Sequence, residues 1–351
     1  MVLGWDFVRK DKVLKNMNLL GVNHMKRYDV VLIGRAGIDL YSDDLGAPLD
    51  QARHFMKYVG GTTANTAVGC ARYGMKVALI TKVSKDPLGK FIKDYLSRNG
   101  VDTSYIKEDP EAFVGIVFAA IFPGKDPEFI FYRPPGLTAD LRITKDDIPA
   151  DVIRDSKVLE VTGTGLTEIP SYEANLYAVN IAKASSTEVL FNLDWRESLW
   201  RFVKSDERIQ RYLSIIKYAD IIVGGVPEWL AATGTSNIDE AIDYVRRVNK
   251  SVKGMIITRG SEDITAYWSG QVINVPTFHV NVLKTLGAGD AFLAAFLYGY
   301  LYLMPSGWSM KDILRFANAA AAIVVTRHSC SEAMPTFDEV MMFIKNYDKN
   351  V

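Results

Sequence analysis

The sequence predicts an α/β protein whose core is a doubly wound, mainly parallel sheet with helices on both faces. From Tyr28 onward, short β-branched segments alternate with amphipathic segments of helical period. This alternation is typical of parallel strands that are connected by crossover helices. Two stretches, at about 40–59 and 112–133, lack it. They predict a small β-sheet that projects as a candidate lid from one large domain, residues 25–351.

The individual elements follow this alternation along the chain. Helices are predicted at 87–99, 171–184 and 238–249, where apolar residues recur at helical spacing. The second lid stretch predicts a hairpin that turns at Pro123 and Gly124. The predicted buried strands are the segments DVVLIG, VALITKV, KVLEVTG, EVLFNLDW, DIIVGG and GMIITRG.

The composition favours a cytoplasmic protein that binds a small molecule. The 351 residues include 41 basic and 41 acidic side chains, so the overall charge gives no reason to expect nucleic acid or an anionic membrane as partner. The apolar helical stretch at 291–304 is shorter than the roughly 20 residues that span a membrane. Cys70 and Cys330 have no CxxC spacing, which argues against a disulfide framework or a thiolate zinc site.

The first 24 residues differ in character from the rest of the chain. They mix charged residues with scattered apolar ones and contain no uninterrupted hydrophobic segment, so a signal peptide is not expected. They predict an N-terminal extension or a poorly ordered tail, with Met25 as an alternative start.

Polar and glycine residues cluster directly after several predicted strands. In doubly wound sheets, ligands bind at the carboxyl ends of the strands, so the cluster predicts a ligand site at that edge. Ordinary loop chemistry explains any one of these residues alone, but less readily all of them together. The residues concerned are Asp39, Asp194, Arg196, Arg259, Gly260 and the segment KTLGAGD.

The segment GAGD, residues 287–290, joins a strand-like stretch to an apolar helix-like one. A helix that begins at Gly289 or Asp290 exposes the unpaired N–H groups of its first turn, and small residues let an anion approach them. This arrangement suits phosphoryl transfer, in which the N–H groups hold the transferred phosphate and Asp290 accepts the proton of an attacking hydroxyl. The alternative is an ordinary helix start, with Asp290 as the N-cap and the glycines forming a turn.

Two motifs resemble the signatures of the ribokinase-like (PfkB) carbohydrate kinases. KTLGAGDAF resembles the family's carboxyl-terminal signature, and GGTTANTAVGCARYG, residues 60–74, resembles the amino-terminal one. The resemblance covers nearly the whole chain after Met25, and no GxxxxGK[ST] segment suggests a P-loop kinase instead. It implies a ribokinase-like fold and an enzyme that transfers phosphate from ATP, with Mg²⁺, to a sugar.

The resemblance also implies roles for particular residues. The positions that match the anion hole and the catalytic base are Gly287, Ala288, Gly289 and Asp290. The positions that match the sugar-binding residues are Asp39, Gly60, Gly61 and Asn65. The glycine pair is expected to leave room for the substrate. A helix residue that bonds its own backbone is the alternative for Asn65.

For the nucleotide, the resemblance implies a further set of contacts. Asn318 lies in an alanine-rich helix, where close packing is the alternative. Lys284 stands where many family members have an acid, and solvent exposure or a structural ion pair is the alternative for it. The positions expected to contact nucleotide are Asp194, Thr258, Gly260, Lys284 and Asn318.

Glu228 matches the acid of the family's Asn-x-x-Glu motif, which organises Mg²⁺ and phosphates through water. Gly225 stands where the motif has its asparagine, so the match is incomplete. A solvated glutamate at a helix start is the alternative.

Two further stretches favour a sugar acid as the acceptor. VLKTLGAGDAFLAAFLYG and RHSCSEAMPT resemble one branch of the family, which acts on a keto-deoxy sugar acid of inositol breakdown. The expected acceptor is therefore 5-dehydro-2-deoxy-D-gluconate, phosphorylated at its terminal hydroxyl. Arg133 and Arg196 are candidate partners for its carboxylate, although Arg196 has the alternative of pairing with Asp194 and contacting nucleotide phosphate.

Other functions remain open from the sequence. Within the family, 2-keto-3-deoxygluconate, fructose and ribose are the alternative acceptors. A regulator that binds sugar and nucleotide without turnover is the alternative from a different class, although an intact Asp290 argues against it. Because exposed lid strands commonly need covering, a homodimer through the lid is also predicted.

Overall fold

The computed structural model describes residues 26–350, and the predicted extension at 1–24 lies outside that range. Within it, strands and helices alternate as the sequence predicts. The strands are β1 (Tyr28–Ile33), β2 (Gly37–Ser42), β3 (Phe55–Gly60), β4 (Val77–Ser84), β5 (Val101–Asp102), β6 (Ile106–Asp109), β7 (Ile116–Ala120), β8 (Glu128–Tyr132), β9 (Ser156–Thr162), β10 (Glu188–Asn192), β11 (Ile221–Gly225), β12 (Gly254–Thr258), β13 (Ile264–Trp268) and β14 (Gln271–Val275).

The helices connect and cover these strands. They are α1 (Thr62–Arg72), α2 (Pro87–Arg98), α3 (Ala150–Arg154), α4 (Ile169–Ala184), α5 (Glu197–Trp200), α6 (Ser205–Ile216), α7 (Val226–Thr233), α8 (Ile238–Val248), α9 (Ala288–Tyr298), α10 (Met310–Val325) and α11 (Phe337–Asn350). A π-helical turn (Gly299–Leu303) extends α9, and short 3₁₀ segments occur at Ala139–Leu141, Lys145–Asp147, Gly163–Leu166 and Met304–Ser306.

The large sheet has the spatial order β14-β13-β12-β11-β10-β9-β1-β4-β5, with β6 also paired to β4. Its strands are parallel from β12 through β4 to β5 and β6, and β13 and β14 complete it as an antiparallel hairpin. The chain leaves β1 toward β4 on one side and returns to β9 on the other. The edge between β1 and β9 is therefore the topological switch point, where doubly wound sheets bind their ligands.

Alternate residues of the central strands enter two separate apolar cores. Val30 and Leu32 of β1 face the core that contains α1, α9 and α10. Val31 and Ile33 face the core that contains α4, α6, α7 and α8. This burial on both faces explains why the strands are almost continuously apolar rather than alternating.

The two stretches without helical alternation form the predicted second sheet. Its order is β3-β2-β7-β8, and β2 pairs parallel with β7 while the two outer pairs are antiparallel. The hairpin turns at Gly124, whose φ is 76°, and the Gly124 N–H donates to the Val282 carbonyl at 2.9 Å. The first strand begins at Gly37, earlier than the predicted boundary near residue 40. Closure of this sheet as a lid stays a prediction.

The first half of the apolar stretch at 291–304 is a core helix, because residues 291–297 of α9 are all buried. Among the described residues, no helix has the length and apolar character to cross a bilayer.

Glu160 on β9 is an unusual acid in this core. It is fully buried, and neither carboxylate oxygen has a hydrogen-bond partner among the described residues. Burial, followed by the nearby carboxylates of Asp290 and Asp194, raises the pKa of Glu160 well above its ordinary value.

We expect Glu160→Gln to stabilise the protein more at pH 8 than at pH 5. Because the folded-state pKa lies above the unfolded one, the stability that the neutral acid contributes is present below its unfolded pKa and is lost as pH rises toward the folded value. Within that window, the free energy of unfolding of the wild type falls by about 1.4 kcal/mol for each pH unit relative to that of the Gln variant. Thermal or urea unfolding at both pH values measures it, with the exposed Glu262→Gln as control. An equal effect at both pH values would contradict the expectation.

Candidate active site

A cavity lies at the carboxyl ends of the strands, beside the topological switch point. It is lined by the beginnings of α1, α7 and α9 and by the ends of β10, β11 and β12. Its lining includes Thr62, Asn192, Asp194, Arg196, Glu228, Thr258, Gly289 and Asp290. The structure thus brings together predicted residues from distant parts of the chain.

The turn before α9 has the form of an anion site. The helix begins at Ala288, one residue earlier than the earliest predicted start, and Gly287 is its N-cap with a left-handed φ of 83°. A Cβ at Gly287 would lie 2.7 Å from the Cys330 Sγ, so both conformation and contact require glycine there. Gly289 borders open space. Its small size leaves the first-turn N–H groups accessible to an anion.

Asp290 is the third residue of α9 rather than its N-cap, so the interpretation of Asp290 as an ordinary cap is wrong. The Asn65 side chain donates from Nδ2 to Asp290 Oδ2 at 2.7 Å, across from α1. Burial raises the pKa of Asp290 to about 6, and the hydrogen bond from Asn65 partly opposes that rise. Asp290 is therefore largely ionised at neutral pH, and it lies in the same helical turn as Gly289.

Gly60 and Gly61 are required by contacts within the protein, and their predicted role of leaving room for the substrate stays a prediction. A Cβ at Gly60 would overlap the Asp39 carboxylate, and one at Gly61 would lie 2.5 Å from the Arg35 carbonyl oxygen. Gly61 also has a φ of 100°. Gly60 therefore lets β3 pack directly against Asp39, and Gly61 lets the chain pass close to the Arg35 carbonyl.

Asp39 lies on β2 and is 8% exposed. Tyr41 donates its hydroxyl to Asp39 Oδ2 at 3.0 Å. Burial raises the pKa of Asp39 to about 6, while Tyr41 and the charge of Arg35 partly oppose that rise. A carboxylate in this position offers acceptors for the hydroxyls of a polyol.

Arg35 is a site residue that the sequence reasoning missed. Its Nη2 lies 3.0 Å from Asp194 Oδ2, and Thr164 donates its hydroxyl to the same oxygen at 2.6 Å. Arg196 Nη2 lies 3.3 Å from Asp194 Oδ1. Burial alone would raise the pKa of Asp194, but Arg35 and Arg196 outweigh it and lower that pKa to about 2. The available signal was the position of Arg35 directly after the first strand.

Glu228 is paired rather than solvated, so the solvated alternative is wrong. Its Oε2 accepts the Gly225 N–H at 2.7 Å, and Arg196 Nη1 lies 3.2 Å from its Oε1. Arg196 pairs with both Asp194 and Glu228, so the ion pair with Asp194 that was the alternative for Arg196 does form. No group of three metal-ligating side chains occurs among residues 26–350. These residues therefore do not form a protein cage for a metal.

Arg133 lies apart from this cavity, directly after β8. Its guanidinium forms an ion pair with Asp140, and both side chains are buried. Arg133 instead lines a second cavity, beneath the small sheet, together with Phe131, Leu141 and Glu168.

Lys284 is fully buried, so the alternative of solvent exposure is wrong, and its ammonium forms no ion pair with a carboxylate of residues 26–350. It does not line the cavity. Asn318 also lies off the cavity: its Nδ2 donates to the Pro276 carbonyl at 3.0 Å, and the Thr277 hydroxyl donates to its Oδ1 at 3.2 Å. Thr258 lines the cavity, and Gly260 follows it with a φ of 61°.

Comparisons with known proteins agree with this fold. The model of the pfkB family of carbohydrate kinases matches residues 27–337. The 5-dehydro-2-deoxygluconokinase of Clostridium perfringens is 38% identical over 337 residues, which cover 94% of this chain and 96% of that protein.

Solved structures of sugar kinases also resemble this chain. An uncharacterized sugar kinase from Pyrococcus horikoshii in complex with ATP is 32% identical with a TM-score of 0.73, and the match covers 89% of this chain and 97% of that one. Fructokinase with bound ATP from Xylella fastidiosa is 26% identical with a TM-score of 0.79, over 91% of this chain and 99% of that one. The resemblance predicted from the two glycine motifs is confirmed, and the chain belongs to the pfkB family of carbohydrate kinases.

Proposed function

We propose that this protein transfers the γ-phosphoryl group of ATP to the terminal hydroxyl of 5-dehydro-2-deoxy-D-gluconate, giving the 6-phosphate. The observation that carries the proposal is the Asp290 carboxylate, held by Asn65 at the first turn of α9. The choice of acceptor rests on relatives that are named 5-dehydro-2-deoxygluconokinase and match this chain over nearly its whole length.

Asp290 serves as the general base. Asn65 occupies one of its oxygens and orients the carboxylate, which leaves Oδ1 for the proton of the attacking hydroxyl. A carboxylate with a pKa of about 6 is ionised at neutral pH and is a stronger base than an ordinary aspartate. The Asn65 Oδ1 is buried without a partner among the described residues, so it is available to accept a sugar hydroxyl.

The sugar and the phosphates occupy opposite sides of Asp290. Asp39 accepts hydroxyls of the sugar, while the N–H groups of 287–289 hold charge on the transferred phosphate. Thr258 and Gly260 flank the nucleotide. Mg²⁺ on the triphosphate would be held near Glu228 through water, and when bound it neutralises phosphate charge.

Arg196 is the better supported of the two candidates for the substrate carboxylate. Its side chain is 38% exposed and lines the same cavity as Asp290, whereas Arg133 is 4% exposed and paired with Asp140. A guanidinium pairs with a carboxylate in bidentate fashion, which neutral sugars cannot match. This contact separates the neutral alternatives, fructose and ribose, from the sugar acids, whereas 2-keto-3-deoxygluconate carries a carboxylate and would share it.

The small sheet is the proposed lid and the proposed surface of a homodimer. Its outer strand β8 exposes Phe129, Ile130 and Tyr132, which a second copy of the chain would cover. Both roles, and the cytoplasmic location, stay predictions.

We expect Asp290→Asn to lower turnover about 10²- to 10⁴-fold, because a carboxamide cannot accept the proton. Folding and nucleotide binding should persist, because asparagine has the size of aspartate and its side-chain oxygen can still accept the hydrogen bond from Asn65. Coupled ADP release with the sugar acid measures turnover, and calorimetry measures ADP binding.

Asp312→Asn is the matched control, because Asp312 is the third residue of α10 just as Asp290 is of α9. It should leave turnover near the wild-type value. If Asp290→Asn retains near-normal turnover, the base assignment is wrong. If the wild type binds sugar and nucleotide but releases no ADP with any of the four acceptors, the chain is a regulator rather than a kinase.

The pH dependence provides a separate test. Asp290 and Asp39 both have pKa values of about 6, so kcat/KM should fall at least tenfold for each pH unit well below 6 and level off above about 7. Steady-state rates from pH 5 to 9 at saturating ATP measure it, with nucleotide affinity followed over the same range. A flat profile between pH 5 and 7 would contradict the titration of the site.

Truncation of the two arginines tests the acid acceptor. Arg196→Ala should lower kcat/KM for the sugar acid about 10- to 100-fold more than for fructose, because it removes a charge-assisted contact. Arg133→Ala serves as the comparison. Equal losses for the acid and fructose would mean that Arg196 acts on phosphate instead, and a selective loss in Arg133→Ala would move the carboxylate contact there.

A further inference from the structure

Lys284 is a buried cation that phosphoryl transfer, as described above, does not use directly. Its side chain is fully buried, and its ammonium donates to the Leu286 carbonyl at 2.5 Å. The Val324 carbonyl lies at 3.5 Å and the Cys330 Sγ at 3.9 Å. Burial of an ammonium without a carboxylate partner is strongly unfavourable, so neutral dipoles and the sulfur must stabilise it.

These contacts join two elements at the back of the anion site. Leu286 directly precedes Gly287, the N-cap of α9, and Val324 lies in the last turn of α10. The backbone N–H groups of Leu283 and Lys284 also donate to the Val325 carbonyl, at 2.8 and 3.2 Å. Carbonyls at a helix C-terminus carry the negative end of its dipole, which favours a cation there.

The Lys284 ammonium also lies at one end of a chain of contacts that reaches Asp39, a residue expected to bind the sugar. The Cys330 Sγ packs against Gly287 and lies 2.8 Å from the Tyr41 hydroxyl, which in turn donates to Asp39. Lys284 is therefore in contact, through Cys330 and Tyr41, with the carboxylate expected to hold the substrate. The anion turn and the sugar site share one buried polar cluster.

We propose that Lys284 is a positioning residue whose ammonium fixes the turn at 287–289 on the end of α10 and adds positive charge beneath the anion hole. It makes no contact with substrate. A unit charge in a buried site acts strongly on charge that develops nearby, because little water screens it. The inference rests on the proposed phosphoryl transfer, since only that reaction places a phosphate at this turn.

The test compares two variants. Lys284→Met removes the charge and the donor, whereas Lys284→Gln removes the charge but keeps a donor. We expect kcat with the sugar acid to fall about 10- to 100-fold in both, somewhat less than for loss of a direct oxyanion donor. The dissociation constant for ADP should change less than about threefold, but added aluminium fluoride, a mimic of the transferred phosphoryl group, should no longer tighten ADP binding.

Lys82→Met is the control, because Lys82 also donates to a backbone carbonyl, that of Arg142 at 3.0 Å, but it pairs with Asp147 and lies away from the cavity. It should lower thermal stability without lowering kcat. Lys284→Ala supplies a rescue experiment, in which methylammonium should restore kcat and not only the melting temperature.

Each result decides between the possibilities. A folded Lys284→Gln variant with normal kcat and normal tightening by aluminium fluoride would overturn the proposal. Failure of both Lys284 variants to fold, with Lys82→Met folded, would also overturn it and make Lys284 a folding residue only. A wild-type enzyme that phosphorylates none of the four acceptors would instead refute the proposed function.

Discussion

The hydrogen bond between Asn65 and Asp290 is the contact on which the rest of the site depends. It joins α1 to α9, which are separated by more than 200 residues of sequence. The helices must pack closely for it to form, and Gly69 makes this possible: a Cβ there would lie 2.6 Å from the Ala294 Cβ. The same packing brings the first turn of α9 to the sheet edge beside Asp194. The apolar core and the orientation of the Asp290 carboxylate are therefore fixed together.

The surroundings of the three aspartates of the site give them different pKa values. Asp194 lies between Arg35 and Arg196, which hold its pKa at about 2, so it stays charged and orients both guanidinium groups. For Asp39 and Asp290, burial raises the pKa more than hydrogen-bond partners and nearby arginines lower it, so both pKa values are about 6. A raised pKa suits Asp290 to the proposed role of proton acceptor, while Asp194 stays charged beside the two arginines.

The sequence predicted the parts of the structure that local pattern determines. The buried strands and the glycine turn before α9 carry their signal within a few residues. The roles of Arg35, Gly60 and Lys284 depend on partners far along the chain. Gly60 faces Asp39 across a strand pair, and Lys284 is buried because α10 ends against it. A lysine in a polar segment normally predicts a surface residue, and only the tertiary packing reverses that.

The most direct measurement is a crystal structure with a non-hydrolysable ATP analogue, Mg²⁺ and 5-dehydro-2-deoxy-D-gluconate. We predict that the terminal hydroxyl lies within roughly 2.6–3.2 Å of Asp290 Oδ1, with the γ-phosphate on the N–H groups of 287–289. A complex in which the hydroxyl points away from Asp290, or in which the γ-phosphate lies off the start of α9, would contradict the assignment of this site to phosphoryl transfer.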